Sequence, residues 1–232
     1  MAQRRWRAQL TRREQVRGLV FFCLYCLVFP ALKPVVEWAL DHFFGLYLSQ
    51  AMSAAVYYYL MGLLTVAVFW RFLKNAWEIL LRFVPENLFA FAAALVGALA
   101  LGLLTRLLPT PVENPEAATW AEQYAYSPGA TVVIVAVLTP LVDEVLFRGL
   151  VFGALRRRSR PLAWVCSVAL FSLYSVWTYA VAALDARYLL LFVQYLPMAL
   201  ALTWCYDWGG SIWPAVALHA VLDAVALIRA VH

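Results

Sequence analysis

The sequence predicts an all-α polytopic membrane protein, with about seven transmembrane helices around an intramembrane polar cavity. Three observations predict it. Apolar residues make up 65% of the chain and charged residues only 13%, against about 25% charged in an ordinary soluble domain. The apolar residues gather in runs of about 20, the length a helix needs to cross a bilayer. No run alternates with the period of two that marks a half-buried strand. A bilayer admits only helices or closed barrels, because every backbone group must be satisfied inside the protein. The 232 residues hold roughly seven such spans with short loops, and no soluble domain besides.

Taken in order, residues 1–17 form a basic segment, 18–128 the N-terminal spans with a polar loop, and 129–232 a C-terminal core. The first span covers about Gly18 to Val36, and Pro30 and Pro34 should kink it or end it early. No small-x-small cleavage site follows, so the segment reads as an uncleaved helix. Glu37 to Ser49 is mixed in character and fits an interfacial helix. The second span runs about Gln50 to Trp70, followed by a charged loop with Arg71, Lys74 and Arg82. The third runs about Leu88 to Leu108. Pro109 to Gly129 is the most polar loop and carries Glu113, Glu116 and Glu122 without a basic residue. The fourth span, about Ala130 to Leu155, is closed by Arg156, Arg157, Arg158 and Arg160. The fifth covers Pro161 to Tyr179 and the sixth Tyr188 to Tyr206. A turn at Asp207 to Ser211 leads into the seventh, Ile212 to Ile228.

Charge placement sets the expected orientation. Arg4, Arg5, Arg7, Arg12, Arg13 and Arg17 face a single acid, Glu14. Beside an apolar segment this marks a cytoplasmic anchor at anionic lipid rather than a nucleic-acid surface. With that end inside, the clusters at 71–82 and 156–160 also fall inside and the acidic 109–129 loop outside. This favours an odd number of spans. Sixteen arginines against two lysines suggest a GC-rich bacterial source, hence a bacterial cytoplasmic membrane. Cys23, Cys26, Cys166 and Cys205 all lie in apolar stretches. The Cys23–Cys26 CxxC therefore reads as small hydrophobes on a membrane helix, without redox function.

Few ionisable residues remain inside the spans: Lys33, Asp143, Glu144, Arg148, His219 and Asp223. A charge at mid-bilayer costs about 2.5 kcal/mol or more, so such residues pair or serve a function. Lys33 lies near a span end and can snorkel. Glu144 and Arg148 are four apart on one helix face, as a structural ion pair would be. Asp143 then points away and needs a partner on another helix. His219 and Asp223 are also four apart, on the last span. The bland reading is a buried polar cluster. Two carboxylates, an Arg–Glu pair and a His–Asp pair on two helices instead favour a site. A carboxylate with a histidine can activate water for attack on an amide, with neighbouring donors stabilising the oxyanion. A metal site of Asp143, Glu144, His219 and Asp223 and a proton relay are the competing chemistries. Ser172 and Ser175 lack a local base or a GxSxG setting, which weighs against a serine nucleophile.

These residues resemble a family. "DEVLFRG", Asp143 to Gly149, is similar to the EExxxR motif of CAAX-protease and bacteriocin-processing type intramembrane proteases. "WCYDWGGSIWPAVALHAVLDA", Trp204 to Ala224, is similar to that family's closing stretch, which ends in HxxxN or HxxxD. The resemblance covers roughly Pro140 to Leu227. It implies a multi-helix membrane fold and an intramembrane endopeptidase acting on membrane-associated proteins or peptides, with no nucleic acid and no required cofactor. Zinc stays open as an alternative. Asp143 would be the base or water ligand, with Glu144 as alternate and Arg148 orienting Glu144. His219 would be the electrophile or oxyanion donor, oriented by Asp223. The chain departs from the pattern twice. Asp143 stands for the first Glu. Ser175, in "FSLYS" from Phe171, stands for the histidine of a middle FxxxH motif and would position the water. The alternatives are a catalytically silent member serving as scaffold, chaperone or immunity-type partner, and a transporter-like proton carrier. The carrier would need inverted-repeat halves, which are not evident.

Overall fold

The structure, a computed structural model, describes residues 9–105, 107–110 and 112–232. Arg4, Arg5 and Arg7 of the expected basic segment lie outside the described residues. Among the described residues there is no strand, and seven helices are long and apolar enough to cross a membrane.

Helix α1, Arg12–Phe44, is continuous where the sequence predicts a break. Pro30 and Pro34 do not end it, and the expected interfacial piece from Glu37 is its last part. The reason lies one turn upstream of Pro30. Residues Leu24–Val28 form a π turn, in which the Phe29 N–H bonds the Leu24 carbonyl five residues back. The widened turn relieves the clash between a proline ring and the carbonyl four residues earlier. Pro140 follows the π turn Ile134–Leu138 in the same way. Gly45, at φ 62°, closes α1 in the left-handed conformation that glycine adopts without strain.

Helix α2, Gln50–Arg82, corrects a second expectation. The predicted charged loop at 71–82 is helical, and the helix bends at Phe69 instead (φ −110°, ψ 20°). Glu14 holds the bend. Its Oε1 accepts the Phe72 N–H at 3.1 Å, and its Oε2 accepts the Thr11 N–H at 2.9 Å as part of the cap that starts α1. The lone acid of the basic terminus is thus buried as a staple. The rings at the bend fit against glycines. A Cβ on Gly18 would come within 2.6 Å of Phe69, and one on Gly149 within 2.9 Å of Phe72.

Helix α3, Val84–Thr105, buries Asn87, Ala90, Ala94 and Ala98 along one stripe. This stripe packs against α7, Ala186–Gly209. Small side chains let the two backbones approach closely, which matters in lipid because apolar burial alone does not drive helices together there. A Cβ on Gly209 would meet Asn87 Oδ1 at 2.8 Å. The polar 109–129 loop contains a short helix, α4, Glu116–Tyr126. Helix α5 spans Pro128–Leu155, α6 Arg160–Ala183 and α8 Trp213–Val231. α7 runs through Gly209, so the expected Asp207–Ser211 turn shrinks to Gly210 (φ 79°) and Ser211.

Polar contacts gather the basic clusters at one end of the bundle. Asp207, 1% exposed, accepts from Arg156 Nε at 2.9 Å, Arg160 Nε at 2.8 Å and Trp164 Nε1 at 3.0 Å. Gln9 donates to the Gly210 carbonyl, and Trp213 Nε1 to the Leu73 carbonyl. α4 sits toward the opposite end, packed on α8 and α2. Large apolar side chains such as Leu63, Leu88, Val96 and Val165 point outward and exposed. That arrangement suits a hydrocarbon solvent and not water.

Candidate active site

The residues from Glu144 to Phe152 form a second kind of π segment, a nine-residue run in the C-terminal half of α5. It begins immediately after Asp143 and contains the whole remainder of the DEVLFRG stretch. Extended π geometry is rare and concentrates at functional positions. Eight of the nine residues after Asp143, all but Val151, are buried.

Glu144 is the hub. Its Oε1 accepts from Arg148 Nη1 at 2.9 Å and lies 2.9 Å from His219 Nδ1 on α8. The other ring nitrogen of His219, Nε2, lies 3.3 Å from Asp223 Oδ2. Arg148, Glu144, His219 and Asp223 therefore form one connected chain across two helices. Arg148 is wholly buried. Its Nη2 donates to the Ala199 carbonyl of α7 at 3.1 Å, and its guanidinium lies 4.2 Å from the centre of the Phe171 ring of α6. Phe171 also meets His219 edge to face at 5.6 Å. Four helices thus fix the position of one glutamate. The desolvation cost of burying an ion pair is offset only when such extra hydrogen bonds exist.

Asp143 takes the other side of α5. Its Oδ1 accepts from the Tyr25 hydroxyl of α1 at 2.8 Å. Tyr25 stands in an aromatic group with Tyr174 at 5.1 Å and Tyr57 at 6.4 Å between ring centres. His219, Glu144 and Asp223 lie within electrostatic reach of Asp143. Ser175 is the sequence candidate left outside the connected set. Its Oγ donates to the Phe171 carbonyl of its own helix at 3.0 Å.

Two residues near the site were not expected from the sequence. Tyr25 belongs to the first span, where nothing distinguishes it from other apolar positions except a hydroxyl that needs a partner in the membrane. Glu116 belongs to the polar loop and carried no signal at all. Its Oε2 accepts from Tyr195 on α7 at 2.9 Å, while Asn114 donates to Tyr195 and to Gln194. Burial first, and then the charge of Asp223, pushes the Glu116 carboxyl up to about 7. α4 therefore carries a third acid toward the His219–Asp223 pair.

Among the described residues no set of three or more His, Cys, Asp or Glu side chains is arranged to hold a metal ion. All four cysteines are free thiols. The chemistry open to the arrangement is acid–base: a carboxylate beside a hydroxyl donor, and an imidazole flanked by two carboxylates.

Comparison with known proteins gives a family match over part of the chain. Residues 126–225, the stretch from the end of α4 into α8, match the family model described as type II CAAX prenyl endopeptidase Rce1-like. No curated protein and no solved structure matches the chain.

Proposed function

We propose that the protein is an intramembrane endopeptidase, a reading supported by the match of residues 126–225 to the Rce1-like CAAX prenyl endopeptidase family model. It would hydrolyse a peptide bond near the C-terminus or membrane segment of a membrane-associated protein. The observation that carries the reading is the convergence of Glu144, Arg148, His219 and Asp223 from two helices, with Asp143 adjacent. The pair 143–144 and the pair 219–223 lie 75 positions apart in sequence, as Glu144 and His219 are.

In this reading Asp143 takes the proton from the attacking water. Tyr25 occupies Oδ1, which leaves Oδ2 to face the water. Arg148 fixes Glu144, and Glu144 in turn sets the His219 ring by its Nδ1. A ring that donates from both nitrogens to these two carboxylates is an imidazolium, and its Nε2–H is then the donor for the oxyanion. Its contact with Asp223 is the longer of the two, 3.3 Å against 2.9 Å, so it is the one a substrate carbonyl can displace. Asp223 holds the imidazole until then. The basic end of the bundle would face the cytoplasm and α4 the outside, in a bacterial cytoplasmic membrane.

One observation favours a second reading, a catalytically silent member acting as scaffold, chaperone or immunity-type partner. Ser175 turns to its own backbone and supplies no group to the site. Mapping protein C-termini in the host separates the two. Wild type is compared with a chromosomal Asp143→Asn, His219→Ala variant. Extra C-terminal residues on a defined set of proteins in the variant alone would establish the protease and name its substrates. Unchanged termini, alongside a phenotype for deletion of the gene, would establish the silent reading.

A further inference from the structure

We infer that Tyr25 is a positioning residue for the reaction, the group that fixes the reactive carboxylate of Asp143. The inference rests on the proposed protease reading but on a different part of the chain, since Tyr25 lies about a hundred residues before the family-matched segment begins at residue 126.

The geometry is specific. Tyr25 is completely buried, and its hydroxyl donates to Asp143 Oδ1 at 2.8 Å. The residue sits within the π turn Leu24–Val28, so an irregular turn of α1 presents it to the residue that immediately precedes the π segment of α5. Its ring is held between Tyr57 of α2, nearly parallel at 15°, and Tyr174 of α6. Three helices therefore determine where one hydroxyl points. Among the described residues Asp143 has no ion pair, whereas Glu144 has both Arg148 and His219. A buried carboxylate without a cation must be held by hydrogen bonds, and the Tyr25 hydroxyl is the one it receives. Ser175, which the family resemblance would have position the water, bonds instead to the Phe171 carbonyl. The orienting group for Asp143 thus comes from α1, outside the family-matched segment.

The consequence is a carboxylate with one oxygen tied and one free. Removing the tie lets Asp143 turn about its own bonds, so the free oxygen no longer meets the water in one orientation. The test uses the full chain in proteoliposomes. Tyr25→Phe deletes one oxygen and keeps the ring stack, and Tyr57→Phe serves as a control in the same aromatic group. Two readouts are taken. The first is the infrared carboxyl band of Asp143, assigned by its absence in Asp143→Asn, which requires no substrate. Tyr25→Phe should shift this band and Tyr57→Phe should not. The second is turnover of the proteins identified by C-terminal mapping. Tyr25→Phe should lower kcat by about 10–100-fold with KM unchanged, the scale of loss expected when a reacting group is misplaced. An unshifted band in a folded Tyr25→Phe protein overturns the inference. So does unchanged kcat where wild type cleaves. If wild type cleaves nothing, the protease reading fails while the infrared result still decides whether Tyr25 holds Asp143.

Discussion

Replacing Arg148 by Met keeps most of the side-chain volume and removes only the charge and its donors. The guanidinium is wholly buried. It supplies a hydrogen bond to Glu144 at 2.9 Å, another to the Ala199 carbonyl at 3.1 Å, and a cation–π contact with Phe171 at 4.2 Å. Of these, the Ala199 carbonyl loses least, because Thr203 Oγ1 also donates to it at 2.7 Å. Glu144 loses most. A buried charge stripped of its partner costs about 3–5 kcal/mol, and the lost cation–π contact adds about 0.5–2 kcal/mol. His219 still faces Glu144 at 2.9 Å and offsets part of this. A net loss of about 3–5 kcal/mol corresponds to a fall in melting temperature of roughly 6–20 °C, by the scaling for chains of this size. The assay is thermal unfolding of the purified protein in one detergent, with membrane yield measured alongside. Arg148→Ala should fall further, since it also opens a cavity. The double variant Glu144→Gln, Arg148→Met should recover most of the loss. It removes both charges while the amide still meets His219. A single variant melting within about 2 °C of wild type would refute the reasoning, because the pair would then have to be solvated.

Three further outcomes are expected. Asp143→Asn should abolish cleavage and leave melting nearly unchanged, because the amide oxygen can still accept from Tyr25; substrate processing beside a melting curve checks both halves. His219→Ala should lower kcat by about 10²–10³-fold if Nε2 donates to the oxyanion, and single-turnover cleavage would read it. Stability should fall as pH rises from about 4.5 through about 7. The partly buried Glu116 carboxyl binds its proton more tightly in the folded protein, with its pKa near 7, than in the unfolded chain. Its contribution is complete below the unfolded value and is lost above the folded one. Glu116→Gln should flatten that slope in melting curves taken from pH 5 to pH 8.

The sequence by itself determined the class of fold and the candidates for the site. Composition and run length are properties of local segments, and a bilayer converts them into spans almost without ambiguity. Intramembrane charge is expensive, so the few ionisable residues left inside the spans, Asp143, Glu144, Arg148, His219 and Asp223, were visible as candidates at once. Local rules also judged wrongly in places. Pro30 and the charged stretch at 71–82 read as breaks, and both are helical. A π turn accommodates the first, and the ends of long helices can extend beyond the hydrocarbon in the second.

Only the tertiary structure decided who meets whom. Spacing of four paired Glu144 with Arg148 and His219 with Asp223, but no pattern says that Glu144 joins the two pairs. The partner of Asp143 could not be read either. Tyr25 lies 118 positions away on a span that looks like any other, and its role exists only where α1 packs against α5. Glu116 was hidden by the opposite error: a loop acid in a polar segment appears solvated until α4 folds onto α8. The physical reason is common to all three. Helix formation and membrane insertion depend on neighbours along the chain, whereas a hydrogen bond between helices depends on packing between side chains that sequence distance does not encode.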